Sequence, residues 1–185
     1  MPHVEMLVTG VGPIEAAAGV SRALALSSYE LVINAGIAGA FPQCAPVGEG
    51  VVVSEEFCEI CLETGQSIVL PDGGRVVDRA SSDLKLVDGL VELGFRSVRG
   101  LTVSQVTATD ATARRLAEHG VGIESMEGFA VLRAAEIAGV PAIEVRGISN
   151  VVGDRDRSQW NFDHGVRGLE RILTSTLALL GTMDG

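Results

Sequence analysis

Short apolar runs alternate along this chain with longer stretches of helical period, which is the pattern of strands interleaved with helices. Strands are predicted at Val4 to Thr9, Leu31 to Ala35, Gly50 to Ser54, Val98 to Val106 and Ala142 to Ile148. Helices are predicted at Pro13 to Leu26, Ser82 to Leu93, Asp110 to His119, Glu127 to Ala138 and Asp163 to Leu180. The pattern therefore indicates an α/β fold.

The ends of several helices carry recognisable signals. Pro13 follows a glycine turn and suits the first turn of a helix, and Ser81 or Ser82 is predicted to cap the second helix. Gly139-Val140-Pro141 is predicted to stop the fourth helix. Neither a repeat nor a linker divides the chain, so residues 1–185 are predicted to form a single domain.

Composition narrows the possible partners. The chain has 185 residues, of which 46% are hydrophobic, and a formal net charge of −10, so it offers no basic surface for a nucleic acid. No apolar run approaches the roughly 20 residues that span a bilayer, and the N-terminus lacks a charged region before a long apolar stretch. We therefore expect a cytoplasmic protein with no membrane partner, whose three cysteines are reduced thiols.

Several familiar sequence motifs are incomplete or absent in this chain. Gly10-Val11-Gly12 begins like a dinucleotide fingerprint, but Glu15 stands at the third glycine position, so the turn is expected only to present free amides to a ligand. Gly147 to Val151 resembles a nucleophile elbow, except that Val151 replaces the final glycine. There is no Walker lysine motif and no His-Glu-x-x-His, so neither a cofactor nor a metal is predicted.

Two polar segments at element junctions remain, Glu124-Ser125-Met126-Glu127-Gly128 and Arg146-Gly147-Ile148-Ser149-Asn150. Taken alone, they have ordinary structural interpretations. Glu127 could complement the dipole of the helix that follows, and Met126 could fill the core. Arg146 and Asn150 could satisfy loop backbone at the end of a strand. Their function depends on whether they belong to one site.

Together, these segments resemble the purine nucleoside phosphorylase and methylthioadenosine nucleosidase superfamily. The resemblance also includes the strand and glycine loop Val32 to Ala40, the strand Gly48 to Glu55 and the strand Arg99 to Ser104. It implies a three-layer αβα sandwich around a central mixed sheet, N-terminally short, and an enzyme that cleaves the N-glycosidic bond of a purine nucleoside.

Within that superfamily, the two polar segments and the following Gly153 to Trp160 resemble the futalosine hydrolases. This narrower resemblance implies hydrolysis of futalosine to hypoxanthine and dehypoxanthine futalosine, in menaquinone biosynthesis. Two alternatives stay open. One is a purine nucleoside phosphorylase or another purine nucleosidase, and the other is a nucleoside-binding module without turnover.

The resemblance assigns roles to the central residues. Glu127 matches the acceptor for the ribose 2′ and 3′ hydroxyls, where a carboxylate also favours the positive charge that develops on the sugar. Met126 would pack on the sugar face, and Arg146 matches a residue that holds the catalytic water. Asn150 faces the base, and its amide offers both a donor and an acceptor, which complements a 6-oxopurine such as hypoxanthine rather than adenine.

Five further residues are predicted to bind substrate, namely Ser125, Ser149, Gly36, Ile37 and Ala38. Adenine nucleosidases of the family carry a serine where this chain has Ile37, so one hydrogen bond to water must come from elsewhere or be absent.

The chain departs from the family at its start. No residue matches the N-terminal acidic motif that activates water, which leaves a shortened chain, a substitute acid such as Glu55 or Asp154, or impaired activity. Arg79, Arg155 and Arg157 are candidate partners for the carboxylate of the non-purine tail. Because the family assembles so that a neighbour closes the pocket, we expect a homodimer or a larger homo-oligomer.

Overall fold

The computed structural model describes residues 3–62, 66–153 and 160–183. Its helices are α1 (Pro13–Leu26), α2 (Leu84–Glu92), α3 (Asp110–Ala117), α4 (Gly128–Ala138) and α5 (Phe162–Met183). Its strands are β1 (Val32–Ala40), β2 (Gly50–Cys58), β3 (Arg79–Ser81), β4 (Arg96–Thr102), β5 (Ile123–Ser125) and β6 (Ala142–Val151). Strands and helices alternate along most of the chain, as the sequence pattern predicts.

The strands form one mixed sheet in the order β3-β2-β4-β5-β1-β6. The strand pairs β1–β6, β2–β4 and β4–β5 are parallel, whereas β1–β5 and β2–β3 are antiparallel. The first half of β2 also pairs with β6, antiparallel, at Gly50 to Val53. These pairings link β2, β4, β5, β1 and β6 in a closed circle, so the middle of the sheet curls into a small barrel.

Helices cover the sheet on two sides, which confirms the predicted layered αβα architecture. On one side, α1 packs against α4 through small residues such as Ala16, Ala130 and Ala134. On the other side, α2 and α5 bury Leu86, Leu90 and Ile172 against the outward-facing residues of β2 and β6. The inside of the barrel is apolar and is filled by side chains that include Val51, Val53 and Ile148.

Local sequence explains where most helices begin and end. Pro13 occupies the first turn of α1, and Gly139 ends α4 in the left-handed conformation, both as predicted. The prediction that Ser81 or Ser82 caps α2 is wrong, because the Asp83 carboxylate accepts hydrogen bonds from the first-turn amides of that helix. The Ser82 hydroxyl instead accepts the backbone N–H of Glu144.

The predicted strand at Val4 to Thr9 is also wrong, since these residues form no strand and most of their apolar side chains are exposed. An extended apolar run becomes a strand only when a neighbour supplies ladder hydrogen bonds, and no neighbour in the described part of the chain does so here. The predicted strand at Val98 to Val106 is displaced to Arg96–Thr102. The short strands β3 and β5 were not predicted. In the described residues, no helix is both long and apolar enough to cross a membrane.

Candidate active site

Arg146 lies near the middle of β6, with its side chain only 3% exposed. Its Nε donates to Glu144 Oε1 at 2.7 Å, and its Nη1 lies 3.7 Å from Glu127 Oε2 and 3.5 Å from the carbonyl oxygen of Ile37. Burial acts to lower the pKa of Arg146, but the nearby carboxylates of Glu144, Glu56 and Glu127 outweigh it and raise the pKa. The residue is a permanently charged donor in a nearly dry position.

Gly36 leaves the space that this guanidinium occupies. It is the register partner of Arg146 in the β1–β6 ladder, and a Cβ added to Gly36 would overlap Arg146 Nη1. The sequence predicts Gly36 to bind substrate, and in the structure any larger residue there would displace the arginine.

Glu127 immediately precedes α4, in the N-cap position, yet its side chain makes no capping bond. Its Oε1 instead accepts the backbone N–H of Gly12 at 2.9 Å, while its Oε2 faces Arg146. Gly12 has φ near +97°, a conformation that favours glycine, and it turns its amide toward Glu127. The free amide that the sequence predicts at this turn therefore binds a carboxylate of the chain itself, and Glu127 does more than complement a helix dipole.

Ser125 and Met126 lie on the approach to Glu127. Ser125 is buried at the end of β5, where its Oγ accepts the backbone N–H of Gly128 at 3.3 Å. Met126 is only partly buried and belongs to none of the hydrophobic core clusters. Met126 therefore keeps an accessible apolar surface beside Glu127, whereas Ser125 shapes the start of α4.

Ser149 and Asn150 form a hydrogen-bonded pair at the end of β6. The Ser149 hydroxyl lies 2.8 Å from Asn150 Oδ1 and 3.2 Å from the carbonyl oxygen of Ala38, and Asn150 Nδ2 donates to the carbonyl oxygen of Val151 at 3.2 Å. Ser149 is 2% exposed and Asn150 is 9% exposed. Because a carbonyl can only accept, the bond to Val151 fixes which way the amide of Asn150 points, and Ser149 then holds its oxygen.

The remaining predicted site residues contribute mainly backbone. The carbonyl of Ile37 faces Arg146, and the carbonyl of Ala38 faces Ser149. The Ala38 side chain packs in the barrel core. The structure therefore brings Glu127, Gly36 and Ile37 each against Arg146. It places Ser149 and Asn150 further along β6.

Two buried acids beside this group escaped prediction. Glu56 on β2 and Glu144 on β6 are both 0% exposed, and Glu56 Oε2 accepts the Thr102 hydroxyl at 2.6 Å. Burial, followed by repulsion from Glu144, raises the pKa of Glu56 well above its ordinary value. An acid inside an otherwise apolar strand was the available signal, with Glu144 two residues before Arg146 on the same strand face.

A third buried acid, Glu124, ties the loop after β4 to β5. Its carboxylate accepts both the backbone N–H of Thr107, at 3.0 Å, and the Thr107 hydroxyl. Burial raises the pKa of Glu124, although the bonds from Thr107 oppose that shift. The neighbouring Ser125 and Met126 are held in place by this anchor.

Other proposed partners lie elsewhere or outside the described residues. Glu55 Oε2 pairs with Arg79 at 2.8 Å and with Arg99 at 3.2 Å, and the Arg79 guanidinium also lies 5.0 Å above the Phe57 ring. Glu55 and Arg79 therefore already have partners. Asp154, Arg155 and Arg157 lie outside the described residues, as does most of the segment Gly153 to Trp160.

A metal site is not evident in the part of the chain that the structure describes. Across residues 3–62, 66–153 and 160–183, no three His, Cys, Asp or Glu side chains come together as metal ligands.

Comparison with known proteins agrees with this geometry. The family model described as the phosphorylase superfamily matches residues 3–178. Because that match covers nearly all of the chain, the chain belongs to the phosphorylase superfamily.

Curated relatives narrow the assignment. The futalosine hydrolase of Streptomyces coelicolor is 38% identical over 175 residues, which is 89% of this chain and 74% of that protein. The futalosine hydrolase of Thermus thermophilus is 33% identical over 181 residues, which is 93% of this chain and 80% of that protein. Within the superfamily, the chain belongs to the futalosine hydrolase family.

Solved structures share the fold at lower identity. The native futalosine hydrolase of Helicobacter pylori has a TM-score of 0.79 at 14% identity, with 92% of this chain and 77% of that chain covered. A methylthioadenosine/S-adenosylhomocysteine nucleosidase of Streptococcus pneumoniae, bound to a transition-state inhibitor, has a TM-score of 0.77 at 20% identity, with coverages of 91% and 78%. Both share the mixed-sheet α/β architecture.

Proposed function

We propose that this chain hydrolyses the N-glycosidic bond of futalosine and releases hypoxanthine and dehypoxanthine futalosine, a step of menaquinone biosynthesis. The observation that carries the proposal is the placement of Glu127 against both Gly12 N–H and Arg146, in a chain 33% to 38% identical to futalosine hydrolases. Glu127 and Arg146 both come from the two polar segments that resemble the family.

Glu127 supplies the charge that the reaction needs. When the bond between ribose C1′ and purine N9 breaks, its electron pair leaves with the base and positive charge develops on the sugar. A carboxylate held by Gly12 and Arg146 stabilises that charge and accepts hydrogen bonds from the ribose hydroxyls. The oxygen of water then bonds to C1′. The proton that the water loses goes to the departing purine anion, which leaves as a neutral base.

Arg146 has a hydrogen-bond donor that could bind the catalytic water. Its Nη2 is buried and meets no hydrogen-bond acceptor among the residues described. A buried charged donor without an acceptor is costly, and a water molecule beside Glu127 would satisfy it. We assign the water-holding role of the family to this atom.

Asn150 supplies the preference for the base. Among the described residues, its Oδ1 accepts one bond from Ser149 and its Nδ2 donates one bond to Val151, which leaves one acceptor position and one N–H for a ligand. One donor and one acceptor together match the oxygen and N1–H of a 6-oxopurine. Adenine reverses both positions, so hypoxanthine is the expected leaving base.

The test is release of hypoxanthine from futalosine in phosphate-free buffer, followed by chromatography, with inosine and 5′-methylthioadenosine as competing substrates. We expect release from futalosine without phosphate, and weak release from the other two. Release that requires added phosphate would instead make the chain a phosphorylase. Tight binding in calorimetry with no product at high enzyme concentration would make it a nucleoside-binding module.

We also propose that the chain works as a homo-oligomer. Val4, Met6 and Val8 are at least 60% exposed in an extended segment, and Val11 and Ile14 at the start of α1 are exposed as well. Contiguous apolar surface of this kind favours association. Light scattering after size exclusion should give a dimer or larger, and a monomer at micromolar concentration would contradict the proposal.

A further inference from the structure

A chain of charged side chains runs from the interior of the sheet to the site. Glu56 and Glu144 form its buried end, Arg146 follows, and Glu127 is the end that reaches the solvent-accessible side, with its side chain 21% exposed. The best-defined link is the bond from Arg146 Nε to Glu144 Oε1 at 2.7 Å.

The two buried acids meet at one point. Glu56 Oε1 and Glu144 Oε2 have no donor among the described residues, and both lie beside Gly128 at the start of α4. A Cβ added to Gly128 would overlap the Glu56 carboxyl and would lie 2.7 Å from Glu144 Oε2. Glycine at this position leaves room for the two carboxyl groups.

Two carboxylates packed together without solvent cannot both be ionised, because their repulsion adds to the cost of burial. A single proton removes the problem, since a protonated Glu56 can donate to the free oxygen of Glu144. Glu144 Oε1 then still accepts from Arg146 Nε, and Glu56 Oε2 still accepts from Thr102. Among the described residues, the charged group that faces the pair is Arg146 from β6, and β4 contributes the Thr102 hydroxyl. Glu127, at the start of α4, faces Arg146 instead.

We propose that Glu56 and Glu144 form a carboxyl pair that shares one proton and acts as a positioning element, fixing the Arg146 guanidinium toward Glu127. The bond from Arg146 Nε to Glu144 sets the orientation in which Arg146 Nη1 faces Glu127 Oε2. Ionisation of Glu56 would put a second negative charge against Arg146 and draw it away from Glu127.

The shared proton can be tested on the free protein by infrared difference spectroscopy. Wild type should show the C=O band of a protonated carboxyl at neutral pH. That band should disappear in Glu56→Gln and shift in Glu144→Gln, where the protonated Glu56 loses its carboxylate acceptor. Glu49→Gln, which removes a surface partner of Arg96, is the matched control and should keep the band. A band that survives in Glu56→Gln would overturn the shared proton.

The pH dependence of the free energy of unfolding is a second test for the proton on Glu56. An acid with a raised pKa contributes stability that is fully present below its unfolded value, near 4.5, and is lost as the pH rises toward its folded value. Glu56→Gln keeps a hydrogen-bond donor at this position but has no proton that titrates. The unfolding free energy of the variant should therefore fall less steeply above pH 4.5 than that of wild type. Equal slopes would contradict the assignment.

The positioning role rests on the proposed function and is tested by rate. Glu56→Gln mimics the protonated acid and should keep kcat within about threefold of wild type, with a flatter alkaline limb of its pH profile. Glu144→Gln removes the charged partner of Arg146 and should lower kcat/KM by about 10- to 100-fold, the loss expected for a charge-assisted hydrogen bond.

Equal losses in the two variants, or a full rate in Glu144→Gln, would overturn the positioning role. A wild type inactive on futalosine would refute the proposed substrate alone, because the infrared and stability measurements need no turnover.

Discussion

At the residue scale, the central group is Glu127, whose carboxylate has both a backbone donor and a cation. Replacing it with Gln keeps the shape of the side chain but removes the negative charge that stabilises the positive charge developing on the sugar. Hydrogen bonds to charged groups contribute about 1.5 to 3 kcal/mol, so kcat/KM on futalosine should fall by about one to two decades. Glu136→Gln, also on α4 and paired at the surface with Arg133, should leave the rate unchanged. A Glu127→Gln rate equal to wild type would reduce Glu127 to a structural acid.

Asn150 makes a separate residue-scale prediction. Asn150→Asp replaces the amide N–H with a carboxylate oxygen, so the oxygen of a 6-oxopurine loses a donor and the exocyclic amine of adenine gains an acceptor. The ratio of hypoxanthine to adenine release, from a mixture of inosine and adenosine, should shift toward adenine. Because both substrates compete for the same protein, a general loss of activity cancels. An unmoved ratio would exclude Asn150 from reading the base.

How far the sequence predicts single residues depends on whether their motifs are local. Glu127 and Arg146 sit in compact motifs, and the structure places them in contact. Glu56 and Glu144 lie far apart in sequence, and only the closure of β2 against β6 and β4 brings their carboxyls together beside Gly128. The apolar residues around each acid indicate burial, but the local sequence does not indicate that the two acids meet.

At the element scale, the position of the site depends on how closely α5 approaches β6. A Cβ added to Gly147 would overlap the carbonyl oxygen of Gly165 and lie 2.6 Å from the backbone N of Leu169, both in α5. Because backbone cannot move aside like a side chain, Gly147→Ala should destabilise the protein by about 1 to 3 kcal/mol, measured by urea unfolding. Gly181→Ala in the same helix meets nothing within 4 Å and should stabilise it by up to about 1 kcal/mol. Equal effects would show that α5 can shift freely.

How well a helix or strand is predicted depends on the length over which its apolar positions repeat. Long helices such as α1 and α5 were found because their apolar positions repeat over several turns. The three-residue strands β3 and β5 carry no period and are defined only by their neighbours. The opposite error occurred at Val4 to Thr9, where an apolar run has extended propensity but no strand to pair with. Strand identity is settled by pairing, which is a property of the fold.

At the scale of the whole molecule, the site joins elements from distant parts of the sequence: the turn before α1 and elements β1, β5, α4 and β6. A ligand bound there should therefore stabilise the entire fold. Hypoxanthine at about 100 times its Kd would add about 2.7 kcal/mol, which raises Tm by about 5 to 10 °C in a domain of this size. Adenine at the same concentration should give a smaller shift, and in Asn150→Asp the order of the two bases should reverse. Equal shifts for both bases in wild type would mean that the folded site does not distinguish them, and that futalosine would have to be selected through its non-purine tail.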